Sequence, residues 1–258
     1  MTDRVVTFDV EDAPRIEVGI PAGDVVIRSG RPGQVKVVLS GSSETVDGAA
    51  VDTTSDSLSI RGSSQKPRRR LFGRRMDVVV STPDAASITV QVGSGDTRIR
   101  VAARSVDIDS ARGDIRIEKD VQDVRVKIAS GDVYVSQVDR ELTVGSASGD
   151  IRVEKAMDAT VKTASGDIVL GRIDGFGQVK SASGDIRVRD FRGPDLDIST
   201  MSGDVVVGLA PGRTVKTSIK TLSGDFRNKI EPSADDKTGT MALNISSFSG
   251  DVTLTSTK

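Results

Sequence analysis

Apolar and polar residues alternate along most of this chain, in short stretches that return at a nearly constant interval. A Gly-Asp pair marks the interval, and successive pairs lie 18, 18, 18, 17, 18, 19, 21 and 26 residues apart. A period near 18 residues indicates a repeat protein in which each copy forms one structural unit. The nine glycines are Gly95, Gly113, Gly131, Gly149, Gly166, Gly184, Gly203, Gly224 and Gly250.

Each repeat contains two stretches with the pattern of a β-strand. The positions two and four residues after the glycine are apolar in eight of nine copies, and mostly polar residues separate them. This period of two residues predicts a strand with one buried face. The position five residues before the glycine is β-branched in every copy, which predicts a second packed strand: Val90, Ile108, Val126, Val144, Val161, Val179, Ile198, Ile219 and Ile245.

The turn between the two strands reads Ser-Gly-Asp in eight copies, with Arg112 in place of the serine in the other. Glycine accepts a positive φ, and serine and aspartate side chains bond nearby backbone N–H groups. One repeat buries too few apolar side chains to offset its loss of backbone entropy, so the repeats must stack. The sequence therefore predicts an all-β protein, a single parallel β-helix (β-solenoid) with rungs of about 18 residues.

The side chain two residues before the glycine grows toward the C-terminus. It is alanine in the copies at residues 111, 129, 147, 164 and 182, and then becomes Met201, Leu222 and Phe248. We expect this position to face inward, with a cross-section that widens toward the C-terminus.

The N-terminal part repeats the same pattern less regularly. Ile16, Val18 and Ile20 precede Gly23-Asp24, and further strands are predicted at Val35–Leu39, Leu58–Ile60 and Asp77–Val80. We expect residues 1–92 to form an irregular, hairpin-containing β cap that starts the solenoid, and residues 93–258 to form the repeat array. No segment has the periodicity of a helix.

The chain contains no cysteine and no histidine. Thiolate chemistry, cysteine and histidine metal ligands and the histidine base of a serine triad are therefore excluded. Lys and Arg number 36, Asp and Glu number 37, and the net charge of −1 gives no general attraction to nucleic acid or membrane. Without a signal segment or a long apolar run, we expect a cytoplasmic protein, with peripheral membrane docking left open.

Three copies of the motif, Ala147–Val153, Ala164–Leu170 and Ala182–Val188, read Ala-Ser-Gly-Asp-Ile followed by Arg-Val or Val-Leu. Because the motif recurs at the same position of successive repeats, the chain resembles the bacterial β-strand-repeat "putative adhesin" domain family of unknown function, over about Ile16 to Leu254. The resemblance implies a β-helix in a bacterial protein, often in an envelope or envelope-stress context. It supplies no catalytic residues.

Two sets of basic residues are candidate sites for an anionic surface or partner. The loop Arg61–Arg75 carries seven basic residues and no acid, a pattern suited to phospholipid headgroups or an acidic protein, or to a solvated insertion. An outward row three residues after the glycine would stack arginines along one face, or form a solvated surface of mixed charge. The candidate residues are Lys66, Arg68, Arg69, Arg70, Arg74 and Arg75 in the loop, and Arg98, Arg116, Arg152 and Arg187 in the row.

The aspartates of the Gly-Asp pairs would also stack. They could bind Ca²⁺, but capping of the turns explains them better, and no cofactor or metal is expected.

The favoured function is a non-catalytic scaffold that binds a protein or an anionic surface, without specific nucleic-acid recognition because no aromatic row exists. One alternative is a structural protein that associates end to end, as bactofilin-type filaments do, through its exposed terminal strands. The other, a carbohydrate-active β-helix enzyme, would need a unique carboxylate or arginine cluster in a cleft.

Overall fold

The computed structural model of the protein describes residues 2–10, 13–62, 75–211, 214–230 and 239–257. The chain divides into two compact units, residues 1–131 and residues 132–258, and each is described by itself. Nearly all of the regular structure in the described ranges is strand.

The first unit contains twelve strands and one short helix in its described part. They are β1 (Thr2–Asp9), β2 (Arg15–Ile20), β3 (Val25–Ser29), β4 (Gln34–Gly41), α1 (Ser43–Asp47), β5 (Ala50–Thr53), β6 (Ser57–Arg61), β7 (Met76–Thr82), β8 (Ala86–Val92), β9 (Thr97–Arg100), β10 (Ala103–Arg112), β11 (Ile115–Ile117) and β12 (Val121–Ser130).

Two parallel ladders run through the first unit, one on each side of the Gly-Asp turns. Strands β6, β2, β8, β10 and β12 pair in that order on the side before the turn. Strands β7, β3, β9 and β11 pair in that order on the side after it. The N-terminal copy of the repeat that precedes Gly23-Asp24 is present, since Ile16, Val18 and Ile20 pair with Ile88, Val90 and Val92.

The N-terminal strands close this unit with antiparallel pairs. Strand β4 lies between β1 and β7 and runs antiparallel to both, and β5 and β6 form a hairpin. The three predicted strands lie within β4, β6 and β7. The expectation that no helix forms is wrong, because Ser42 accepts a hydrogen bond from the backbone N–H of Thr45 and caps α1.

The second unit contains eleven strands in its described part. They are β13 (Val133–Ser148), β14 (Ile151–Ser165), β15 (Ile168–Ile173), β16 (Gly177–Ser183), β17 (Ile186–Phe191), β18 (Asp195–Ser202), β19 (Val205–Leu209), β20 (Thr214–Ser223), β21 (Phe226–Lys229), β22 (Thr240–Ser249) and β23 (Val252–Ser256).

The second unit also has a parallel ladder on each side of its turns. Before the turn, the C-terminal halves of β13 and β14 are followed by β16, β18, β22 and β20. After the turn, the N-terminal halves of β13 and β14 are followed by β15, β17, β19, β23 and β21.

The order of rungs departs from the order along the chain in both units. The pair β22–β23, which ends the described chain, lies between β18–β19 and β20–β21. In the first unit, β2–β3 lies between β6–β7 and β8–β9. Successive Gly-Asp pairs in the sequence are therefore not always neighbours in space.

The core consists of aliphatic side chains that point inward from the two ladders. The predicted β-branched position five residues before the glycine is buried in eight copies, and Ile219 on β20 is half-buried. Ser and Thr occupy inward positions close to many of the turns, and the hydroxyls of Thr163, Ser181 and Thr200 donate to nearby backbone carbonyls. These hydrogen bonds allow polar residues inside an apolar wall.

The inward assignment of the position two residues before the glycine is wrong. Met201, Leu222 and Phe248 are 64%, 74% and 60% exposed, and the corresponding alanines are exposed as well. The inward position is one residue earlier, where the buried Ser and Thr residues lie. The growth in side-chain size therefore changes the outer surface of β18, β20 and β22 and does not widen the core.

The prediction of an all-β protein is confirmed. The boundary predicted between residues 92 and 93 stays a prediction. No helix in the described ranges is long and apolar enough to cross a membrane.

Candidate interaction surface

The aspartate of each turn holds the next rung through its backbone. In the first unit, the Oδ1 atoms of Asp77, Asp24 and Asp96 accept hydrogen bonds from the N–H groups of Asp24, Asp96 and Asp114 at 2.9, 3.0 and 3.0 Å. The second unit repeats the bond at 2.8–2.9 Å, with each aspartate accepting from the next one in the order Asp132, Asp150, Asp167, Asp185, Asp204, Asp251 and Asp225.

This aspartate ladder explains the recurrence of aspartate in the repeat. A strand that enters a turn leaves an N–H group without a ladder partner, and the carboxylate of the neighbouring rung accepts it. The structure thus uses these carboxylates to cap turns. Within the described ranges, no group of three or more Asp, Glu, His or Cys residues is arranged to hold a metal ion.

Asp185 offers a direct test of turn capping. Its Oδ1 accepts from the N–H of Asp204 at 2.9 Å, so alanine should lower the free energy of unfolding by about 1 kcal/mol. Asparagine keeps an oxygen in the same place and should lose less than half of that amount. Urea unfolding of Asp185→Ala and Asp185→Asn followed by circular dichroism measures both, and equal losses would contradict the capping role.

An arginine lies at one end of each aspartate ladder. Arg75 bonds Asp24 through Nη2 at 2.6 Å and Asp77 through Nε at 3.2 Å. The hydrogen bond to Asp77 and the charge of Asp24 raise the pKa of the Arg75 guanidinium. Arg227 similarly contacts Asp225 at 3.3 Å and Asp251 at 3.2 Å. Of the predicted basic loop, Arg75 is thus engaged in ion pairs within the protein.

The predicted arginine row lies on the outer surface, but it is not a uniform positive stripe. Arg98 and Arg116 are neighbours on β9 and β11, while Val169 separates Arg152 from Arg187. Arg98 contacts Asp96 at 3.3 Å. The Nε of Arg152 donates to Glu154 at 2.6 Å, and this bond raises the pKa of Arg152.

Two of the predicted arginines retain an uncompensated charge. Arg116 and Arg187 are exposed and form no ion pair with another described residue. The remaining residues of the predicted basic loop, Lys66, Arg68, Arg69, Arg70 and Arg74, lie outside the described residues. The assignment of this loop and of the arginine row to a binding site stays a prediction.

An apolar surface that was not predicted as a site from the sequence lies on β18, β22 and β20. We call Met201, Phe248, Leu222 and Phe226 the apolar patch; the first three lie on the outer face of these strands, and Phe226 begins β21. The change from alanine to larger residues two positions before the glycine was the available signal. The sequence predicts that this position faces inward, whereas it lies on the outer face.

These features define a class of all-β repeat protein with parallel ladders joined by capped Gly-Asp turns. The sequence profile of the Toastrack DUF4097 family matches residues 14–255, and the chain belongs to this family. The match confirms the resemblance drawn from the repeated motif. No curated protein matches the sequence.

Two solved structures that are similar to this chain come from Parabacteroides species. A "putative adhesin" from Parabacteroides merdae is 9% identical, with a TM-score of 0.51 over 96% of this chain and 95% of that one. A "putative lipid binding protein" from Parabacteroides distasonis is 15% identical, with a TM-score of 0.49 over 98% and 96%. At 9% identity, the likeness to the Parabacteroides merdae structure is one of fold alone.

Proposed function

We propose that the protein is a non-catalytic interaction scaffold that docks on an anionic surface or partner. The main support is that different positions of the repeat serve different purposes. The glycines and aspartates that define the repeat are used in the turns, where Asp Oδ1 atoms accept backbone N–H groups at 2.8–3.0 Å. The outward positions vary from rung to rung and are free to carry contacts with a partner.

We also propose a detailed architecture, a parallel β-helix, for each unit. In each unit, the two parallel ladders and the Gly-Asp turns are those expected of a parallel β-helix with rungs of about 18 residues. Such a coil presents flat outer faces with regularly spaced side chains, which suits contact with an extended surface. We also propose that docking takes place in the cytoplasm, at the periphery of the membrane.

End-to-end association is the second candidate function, and one observation favours it. Strand β20 pairs only with β22, and β21 only with β23, among the described residues. Their outer edges therefore offer backbone groups to another strand. Lys216 and Lys220 lie on β20, however, and lysine on an edge strand opposes pairing with a second copy.

Vesicle binding tests the proposal through the basic loop. We expect the protein to sediment with vesicles that contain phosphatidylglycerol, and to be released as salt rises. Each basic residue near an anionic surface contributes about 1 kcal/mol. Changing Lys66, Arg68, Arg69, Arg70 and Arg74 to glutamine should therefore weaken binding at least about 100-fold.

Arg75 is left unchanged in this variant because it holds Asp24 and Asp77. A matched control changes two exposed arginines of the row, Arg116→Gln and Arg187→Gln, which should have a smaller effect. Retention on heparin-agarose gives a second readout with a polyanion that contains no lipid. A wild-type protein that neither sediments with anionic vesicles nor binds heparin would rule out the proposal.

A further inference from the structure

The exposed apolar side chains of the protein are concentrated at the last rungs of the second unit. Seven large apolar residues are exposed among the described residues, and the four members of the apolar patch are in this region. Met201 and Leu222 lie on the two neighbours of the strand that carries Phe248. The residues on either side of each are in register, Thr200 and Thr221 with Ser247, and Ser202 and Ser223 with Ser249.

The spacing between paired strands brings these side chains together. Adjacent strands lie about 4.8 Å apart, so Met201, Phe248 and Leu222 form one continuous row about 10 Å long. Phe226 is 46% exposed and stands at the inward position of the last rung, beyond the turn from Leu222. Phe226 thus adds an exposed apolar side chain on the last described rung of the ladder after the turn.

Folding alone does not account for the large side chains of this row. The same position holds Ala147, Ala164 and Ala182 in the preceding rungs, where the ladders form equally well. Side chains that are 60–74% exposed contribute little to the core. Adjacent exposed apolar groups of this size are typical of an interaction surface.

Basic residues border the apolar patch. Strands β20 and β21 carry Lys216, Lys220, Arg227 and Lys229 and no acidic residue. Lys216 and Lys220 alternate with the inward residues of β20 and lie on the same outer face as Leu222. No ion pair involving Lys216, Lys220 or Lys229 is present among the described residues.

The nearest acidic strand residue on this face lies away from the patch. Asp197 is four residues before Met201 on β18, a separation of about 13 Å along an extended strand. Asp225, in the turn between β20 and β21, contacts Arg227 at 3.3 Å. Asp204 and Asp251 lie in the turns, three residues after Met201 and Phe248, and Asp251 also contacts Arg227. The surface therefore combines an apolar row with Lys216 and Lys220, which form no ion pair among the described residues.

We propose that the apolar patch is a membrane-docking surface that inserts into the interface of an anionic phospholipid bilayer. This inference rests on the proposed function and specifies both the surface and its partner. The apolar side chains would enter the boundary between headgroups and acyl chains, while the lysines contact lipid phosphates. A second copy of the chain fits less well, because two such surfaces would bring their lysines together.

A single tryptophan can report insertion, since the chain contains none. Phe248 and Phe176 are both 60% exposed, and Phe176 lies beside Asp158, whose Oδ1 accepts the backbone N–H of Phe176. We expect the fluorescence of Phe248→Trp to shift to shorter wavelength with phosphatidylglycerol vesicles and to stay unchanged with phosphatidylcholine vesicles. Phe176→Trp is the matched control and should not shift.

The triple variant Met201→Ala, Leu222→Ala and Phe248→Ala tests the contribution of the patch to affinity. It introduces the alanine that three other rungs of the second unit carry, so the fold should be retained, and circular dichroism checks this. We expect vesicle partitioning to fall at least about tenfold, with heparin retention unchanged.

Three results would overturn the inference. If vesicle binding is salt-sensitive but neither the tryptophan nor the triple variant responds, docking is electrostatic, and the proposed function survives alone. If the wild type binds heparin and no vesicle, the membrane is the wrong partner. If sedimentation velocity shows a dimer that the triple variant loses, the patch binds a second copy.

Discussion

Alanine in place of Gly184 should lower the free energy of unfolding by about 4 kcal/mol or more, because two separate effects add. The backbone φ at Gly184 is +119°, a conformation that side chains disfavour. In addition, a Cβ atom there would overlap the carbonyl oxygen of Gly166 in the neighbouring rung. The rungs would have to separate locally, which would break the hydrogen bond between Asp185 and Asp167.

A second glycine in the same unit separates the two effects. Gly239 has a φ of +107°, and a Cβ atom there would meet no atom of the described residues within 4 Å. Gly239→Ala should therefore cost only the conformational strain, about 1–3 kcal/mol. Urea unfolding followed by circular dichroism compares the two variants. Equal losses would show that close approach of the rungs is not what requires glycine at the turns.

The second large effect is expected for Phe191→Ala. Phe191 ends β17, is fully buried, and is the largest buried side chain of the described residues. It occupies the space beside Gly177, whose missing side chain would meet Leu196 and Phe191. Removing the ring should leave a cavity between rungs and lower the free energy of unfolding by about 3–5 kcal/mol.

Phe176→Ala is the matched control for this variant. The residue type is the same, but Phe176 is 60% exposed, so the change should lie within about 0.5 kcal/mol of zero. Both variants can be compared by chemical denaturation. A small loss for Phe191→Ala would mean that the rungs collapse around the cavity.

The sequence was sufficient to predict the strands, because each rung repeats the same inward side chains. The alternation of inward and outward positions continues up to the turn, but there the polarity of the residues is reversed, because Ser and Thr face inward and alanine faces outward. A hydroxyl such as that of Ser181 is satisfied by the carbonyl of Ser183 at 3.1 Å. That bond depends on the local backbone, and a pattern of polar and apolar residues does not contain it.

The order of the rungs could also not be predicted from the pattern of apolar and polar residues. The 26 residues between Gly224 and Gly250 indicate a longer connection but not its destination. Strands β18 and β20 both match β22 in register. The alternation specifies which face is buried, while the neighbour of each strand depends on packing across the whole unit.

For the candidate surface, the sequence predicts that the arginine row is exposed, but it does not predict how much of its charge is neutralised by ion pairs. The arginine row lies on the outside as expected, but Glu154 accepts a bond from Arg152 at 2.6 Å and reduces its free charge. The apolar patch could be recognised only after the structure placed Met201 and Phe248 outside, since the same residues facing inward would have been ordinary core.

The position of β22–β23 inside the second unit affects how that unit can assemble during synthesis. Strands β22–β23 follow β20–β21 along the chain but lie inside them in the ladder, so β20–β21 has no strand partner among the described residues until Thr240–Ser256 has been made. Loss of those residues would detach the earlier rung as well. Thr240–Ser256 thus joins β20–β21, which carries Phe226 and the lysines, to β18–β19.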